Sequence, residues 1–421
     1  MELKTPTNKN VLTAAKERIS YTFDHFEKIM VSFSGGKDST TMLHLVMDEA
    51  IRRGRKVCVM LIDLEAQYAR TIEHCEEILT KYQDHMDLHW VCLPLKLRNA
   101  VSNYMPVWTC WDPDKRDDWV RSLPTMDGVV SDPSFYPWFV EGLEFEEFII
   151  MFADWYAAGE KMATFVGIRC DESLNRFRTI AQLDKRTYEG RRWTTGVIDQ
   201  VFNVYPIYDW RTADIWIYHN KTGLCHNPIY DLMHQAGVPL SQQRLCQPYG
   251  DDQRRGLWLY HILEPESWYK IVARVNGVNS GALYVSETGN VTGYNKITLP
   301  PGHTYKSFCN LLLSTLPEVS QKHYVERFRA HIAGWKKRGY LNEIPDSAPR
   351  ELENKQWVPS WRRLCKVLLR NDWWCKGLGM TQPKSEAWNE FKRRKKRLAL
   401  EVDKEISEEK TEAPDLFSVA A

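Results

Sequence analysis

The chain has 421 residues, and its 56 Lys and Arg nearly balance 55 Asp and Glu, leaving a formal charge of +1. That balance excludes a disordered acidic activator and a uniformly basic nucleic-acid coat. With 43% hydrophobic and 26% charged residues, the composition is that of a globular chain with two or three cores.

Tryptophan is the outlier, with 17 residues in a chain that is 12% aromatic. An indole is costly to place unless its ring is packed and its N–H has a partner, so most are expected in cores and some along a pocket. The ten cysteines include no pair closer than ten residues and no CxxC. Zinc knuckles, thioredoxin-type motifs and local disulfide clips are therefore unsupported. The start, MELKTPTNKN, lacks an apolar core, so no secretory signal is expected. The longest apolar stretch, 148–158, is broken by Asp154 and falls short of the ~20 residues of a bilayer span. A cytoplasmic setting is the expectation.

In chain order, Val11, Leu12, Ala15, Ile19 and Phe23 predict an amphipathic helix over 8–26. A β-rich run at Lys28–Phe33 leads into SGGKDS and a helix over Thr40–Arg53 that stops at Gly54. A strand at Lys56–Ile62, a helix over Tyr68–Tyr82 and a strand at Leu88–Leu93 continue the alternation. Such βαβ units predict an α/β fold with a doubly wound, mostly parallel sheet. Residues 94–143 are rich in Trp, Pro and Asp and read as an inserted lid. There Trp108, Trp111, Trp119 and Trp138 are candidates to stack on a planar substrate. The alternation resumes with a helix over Glu144–Ala158, a strand at Ala163–Gly167 and helices from about Glu172 and over Thr212–Asn220.

The expected domains are an N-terminal helix (1–27), a nucleotide-binding domain (28–265), a mixed, largely helical extension (266–380) and a charged tail (381–421). The tail splits by sign: 384–397 holds seven basic and two acidic residues, 401–421 seven acidic and two basic. A solvated helix is the plainer expectation, and DNA contact through Lys392–Arg397 the sharper one.

The informative segment is Ser34-Gly35-Gly36-Lys37-Asp38-Ser39, where a strand ends and a helix begins. Glycines admit an anion close to the backbone, the first helical N–H groups are free to donate, and the helix dipole favours negative charge. Lys37 adds a mobile cation and the two serines add hydroxyls. Phosphate or pyrophosphate is the expected occupant. The spacing is neither that of a Walker A loop nor GxGxxG.

SGGKDS after an apolar strand resembles the PP-loop of the ATP pyrophosphatase superfamily, of the adenine nucleotide alpha hydrolase-like (HUP) fold. The chain further resembles that superfamily's phosphoadenosine phosphosulfate (PAPS) reductase-like branch in three later segments. These are Asp63-Leu-Glu65-Ala-Gln67-Tyr68, Gly167-Ile-Arg169-Cys-Asp171-Glu172-Ser173 with Arg176, and Pro206-Ile-Tyr-Asp209-Trp210 with Asp214-Ile-Trp216. The resemblance implies ATP or a PAPS-like nucleotide held by Ser34 to Ser39, Asp63, Arg169, Glu172 and Arg176, with Lys37, Asp38 and Arg169 in catalytic roles. Arg169 and Arg176 have the fork geometry to grip phosphate or sulfate, and Glu172 to orient one of them. Asp209, ahead of a helix, reads as an N-terminal cap.

The reductase pattern then breaks. Asn227-Pro228-Ile-Tyr230-Asp231 resembles the segment before that branch's CxxC, but only Cys246 is present and Tyr249 occupies the second position. No four-thiolate iron–sulfur cluster is expected from this spacing. Sulfonucleotide reduction is accordingly the least expected activity. Cys246 to Gly256 (CQPYGDDQRRG) resembles instead a subgroup of unknown function that includes the immunoglobulin-binding regulator A type, whose members are often encoded beside a ParB-like nuclease-fold protein. Asp251 and Asp252 are candidates for Mg²⁺ on the phosphates, and Arg254 and Arg255 for charge neutralisation on a leaving pyrophosphate. The leading expectation is an enzyme that cleaves ATP between the α and β phosphates to adenylate an acceptor. The alternative is a nucleotide-binding regulatory subunit that works with the ParB-like partner.

Overall fold

The computed structural model describes residues 8–251, 257–278, 297–340 and 342–412. Asp252, Arg254 and Arg255 lie outside the described residues.

The alternation builds nine strands: β1 Lys28–Phe33, β2 Val57–Ile62, β3 Met86–Val91, β4 Lys96–Arg98, β5 Val107–Thr109, β6 Val129–Val130, β7 Met162–Val166, β8 Thr194–Ile198 and β9 Val201–Val204. The helices of the same body are α1 Val11–His25, α2 Lys37–Arg53, α3 Ala69–Tyr82, α4 Phe145–Ala157, α5 Leu174–Ala181, α6 Thr212–Thr222, α7 Ile229–Gln235, α8 Leu257–Leu263 and α9 Pro265–Arg274. Seven strands form one sheet in the order β6-β3-β2-β1-β7-β9-β8. Every pairing in it is parallel except β8 with β9. The doubly wound, mostly parallel sheet is therefore present, and β1 and β2 read as apolar runs because both of their faces are covered.

The strand order fixes where a ligand fits. From β1 the chain builds outward through β2, β3 and β6, then returns to place β7 on the other side of β1. The reversal leaves a crevice between the carboxyl ends of β1 and β7, the topological switch point at which open α/β sheets bind ligands. SGGKDS follows β1, and Gly167-Ile-Arg169 follows β7.

Residues 94–143 are less of a separate lid than expected. They add β6 to the edge of the sheet and fold β4 and β5 into an antiparallel pair. Trp108 and Trp111 are buried, and Trp119 and Trp138 are partly buried against the same core.

The first apolar core takes in residues from Ala15 to Val278 and again Trp388, so α9 belongs to it, past the boundary expected at 265. A second core, from Phe308 to Leu378, gathers α10 Tyr305–Ser314, α11 Glu318–Lys337, α12 Arg350–Asn354 and α13 Trp361–Leu369. The tail helix, α14 Glu386–Glu412, is not simply solvated: Trp388 is buried in the first core. Just before it, the Ser385 amide donates to Glu147 Oε1 at 3.0 Å, and within it Lys395 pairs with Asp154, both acceptors on α4. Among the described residues, no helix is long and apolar enough to cross a membrane.

Candidate functional site

Gly35 and Gly36 turn the chain from β1 into α2. Gly35 has φ +67, and a Cβ there would lie 2.6 Å from Cys75 Sγ and 2.9 Å from Thr71 Cγ2 on α3. Only glycine satisfies both the backbone and the contact. Asn227 locks this turn, donating from Nδ2 to Gly35 O at 2.9 Å and to Thr71 Oγ1 at 3.0 Å. On the other side Gly167 brings β7 against the start of α2, where a Cβ would sit 3.1 Å from Ser39 N. Ser34 and Ser39 hydroxyls meet at 3.0 Å, and Tyr230 OH accepts the Lys37 amide at 3.2 Å. Among the described residues, the amides of Gly35, Gly36, Asp38 and Ser39 donate to no protein acceptor. They form the anion cradle expected at a helix start.

The charges beneath this cradle are arranged differently from the sequence expectation. Lys37 is buried rather than mobile, with Nζ 3.2 Å from Gln243 O and 3.3 Å from Asp38 Oδ2. Arg169, 1% exposed, spends its Nε on Asp38 Oδ1 at 2.6 Å, so it is not an open fork for phosphate. Arg169 also pairs through a terminal nitrogen with Asp171 at 3.5 Å, so two buried cations and two carboxylates form one network beside the first turn of α2. Glu172 accepts the Arg169 amide at 3.1 Å and pairs with half-exposed Arg176 at 2.8 Å. Arg176 is therefore held by Glu172, and its guanidinium is not presented as an unengaged fork. Asp209 is a further correction: it pairs with Arg18 at 2.7 Å, while the α6 start is capped through Arg211 and Asp214.

Beside the loop, a cavity of about 220 Å³ opens at the carboxyl ends of β1 and β2. Ser34, Met60, Leu64, Gln67, Tyr68 and Tyr260 are among its lining residues. Tyr68 and Tyr260 stack at 3.8 Å with ring planes 3° apart. Tyr260 is brought there because Glu264, after α8, accepts the Ala69 and Arg70 amides at 2.8 and 3.1 Å and so caps α3. Tyr68 OH and Gln67 Oε1 are buried polar atoms with no hydrogen-bond partner among the described residues. A buried hydroxyl and amide oxygen left unpaired are costly, and a polar ligand in this slot satisfies them. Burial pushes the Tyr68 and Tyr230 hydroxyls well up, so both stay neutral.

Asp63, expected at the nucleotide, is fully buried and turned elsewhere. It accepts Trp90 Nε1 at 2.8 Å and the Glu65 amide at 2.9 Å, and pairs with Arg121 of the insertion. None of the four insertion tryptophans is among the slot's lining residues; Trp111 packs on Trp119 at 5.0 Å and Trp108 on Tyr249 at 4.8 Å. Asp251 lines a different cavity, in the extension. Among the described residues, no group of three or more His, Cys, Asp or Glu is placed to hold a metal ion. Cys246 also lines the slot. Sequence reading missed the roles of Asn227, Tyr230 and Tyr260, whose partners lie 150 or more residues away in the chain.

The model of the phosphoadenosine phosphosulfate reductase domain matches residues 28–236, and a domain of unknown function (DUF3440) matches 237–344 and 340–389. The uncharacterized protein YbdN of Escherichia coli (strain K12) is 42% identical over 395 residues, covering 93% of this chain and 95% of that protein. Among solved structures, FMN adenylyltransferase of Candida glabrata with FAD and inorganic pyrophosphate is 16% identical at a TM-score of 0.31, covering 54% of this chain. The phosphoadenylyl-sulfate reductase of Candida auris, a phosphate complex, is 12% identical at 0.30 and is covered to 93%. This chain spans 65% of the adenylyltransferase chain, just under two thirds of its length.

Proposed function

We propose, from the premise that this chain belongs to the family of the uncharacterized protein YbdN and carries a PAPS reductase-like domain, that it binds ATP and transfers its adenylyl group to an acceptor. The observation that carries this reading is the junction of the amide cradle at Gly35–Ser39 with a slot whose wall holds unpaired Tyr68 OH and Gln67 Oε1. The β and γ phosphates sit on the cradle, and the base enters the slot beside Tyr68, which Tyr260 backs.

In the reaction, an acceptor nucleophile attacks Pα, the bond from Pα to the bridging oxygen of Pβ breaks, and pyrophosphate leaves with that electron pair. The amides at the start of α2, with Lys37 beside them, stabilise the departing anion. Lys37, Asp38 and Arg169 act by holding that field in place. Catalysis of this kind rests on positioning and electrostatics and needs no protein nucleophile.

Chromatography of ATP reaction mixtures tests it. Pyrophosphate and the adenylylated acceptor are expected once an acceptor is supplied, with free AMP only where water or a second nucleophile then displaces it; ADP and phosphate contradict α,β cleavage. Sulfite from phosphoadenosine phosphosulfate and a thiol would make the protein a reductase instead. The finer kinship to the immunoglobulin-binding regulator A type rests on the Cys246 to Gly256 loop, and with it come a ParB-like partner and DNA contact through Lys392–Arg397. Nucleotide binding with no product, together with co-purification of that partner, would favour the regulatory role.

A further inference from the structure

The extension holds a second cavity, of about 430 Å³, that the nucleotide reading does not use. Arg363 and Lys366, three residues apart on one face of α13, and Arg370 at its C-cap line it together with Lys376. Arg363 is 5% exposed, yet both of its terminal nitrogens donate only to backbone carbonyls, Val358 O at 2.7 Å and Gly377 O at 2.9 Å. The carboxylate nearest in chemistry, Glu353, is taken by Arg362 at 2.9 Å and by Ser360. Lys366 makes no hydrogen bond or ion pair among the described residues. The other acids on the wall are Asp251 and Asp372, and Asp372 spends its oxygens on the Lys376 and Gly377 amides at 3.0 and 2.7 Å. Arg370 and Asp251 have partners of their own and Glu353 is cancelled by Arg362, so among the described residues Arg363, Lys366 and Lys376 face Asp372.

Arg363 ties down the cavity wall through those two carbonyls but has no carboxylate to balance its charge among the described residues, and with Lys366 beside it the geometry points to an anion in the cavity. We infer that this cavity is a second phosphate-binding site, for a phosphorylated ligand other than the ATP of the PP-loop. It goes beyond the adenylation reading and stands without it. The two cavities are close: Gln247 lines the first and Asp251 the second, and four peptide links hold their Cα atoms within about 15 Å. A ligand seated by Arg363 and Lys366 therefore lies near the end of the loop that borders the nucleotide slot.

Inorganic pyrophosphate titrated calorimetrically into the full chain tests this. Wild type is expected to show two binding events. Lys366→Gln with Lys376→Gln, both on the open side of the cavity, weakens one of them about tenfold and leaves ATP affinity unchanged. Gly35→Ala removes the other, so a failure of the nucleotide reading shows in that variant and a failure of this one in the lysine pair. Pyrophosphate-soaked wild-type crystals give an independent readout, with density expected between Arg363 and Lys366. Unchanged pyrophosphate binding in the double variant, or an empty cavity after soaking, overturns the inference.

Discussion

Gly35 meets two demands at once, a left-handed backbone and a neighbour too close for any Cβ. Gly35→Ala therefore has to move α3 or the loop, and ATP affinity is expected to fall at least tenfold, read by calorimetry, with wild-type affinity the contradicting result. Asn227→Ala leaves Gly35 O and Thr71 Oγ1 without their shared donor. A loss of about 1–3 kcal/mol in urea denaturation is expected, with weaker nucleotide binding alongside it. The turn from β1 into α2 with its undonated amides was legible in six consecutive residues because the chemistry of a helix start is local. The roles of Asp63 and Arg169 were not, because a carboxylate or guanidinium in sequence does not show which partner, ligand or protein, will claim it. Here Arg121 and Trp90 claim Asp63, and Asp38 claims Arg169.

At the scale of elements, the insertion is bolted to the sheet through Glu65. This residue, at φ +65 and fully buried, accepts Trp111 N at 2.7 Å, Val120 N at 3.1 Å and Arg274 Nε at 2.7 Å. It joins the insertion and α9 to the end of β2. Glu65→Gln leaves Arg274 buried without its counter-charge, and a loss of about 3–5 kcal/mol is expected from the denaturation midpoint. Proteolysis at Arg116 and Arg121 should accelerate in the same variant; unchanged cleavage would mean that the insertion is held by other contacts. Trp388→Ala tests the docking of α14, whose removal uncovers part of the first core. The central strands and α1 to α4 were readable from periodicity, since apolar spacing reports burial. The β8 and β9 pair was not, because Gly196 interrupts a short edge strand and Arg186 fills the space against it.

For the whole molecule, the parallel sheet followed from alternating periods, whereas the reach of the first core through α9 and back to Trp388 depends on contacts no local pattern encodes. Stability should also carry a pH signature. Burial lowers His44 to about 4, His74 to about 3 and His331 to about 4 from an ordinary 6.5. Between those values and 6.5 the unfolded chain binds more protons than the folded one, so stability present at neutral pH is lost as pH falls through this window. The melting temperature is expected to drop steadily from pH 7 to pH 4.5; a flat profile would mean that these imidazoles are charged in the fold.

The most direct test of the nucleotide assignment is a crystal structure with ATP bound. The β and γ phosphates are expected on the amides of Gly35 to Ser39, with the base in the slot hydrogen-bonded to Tyr68 OH or Gln67 Oε1. Triphosphate density away from α2, or an empty slot at saturating ATP, would contradict it.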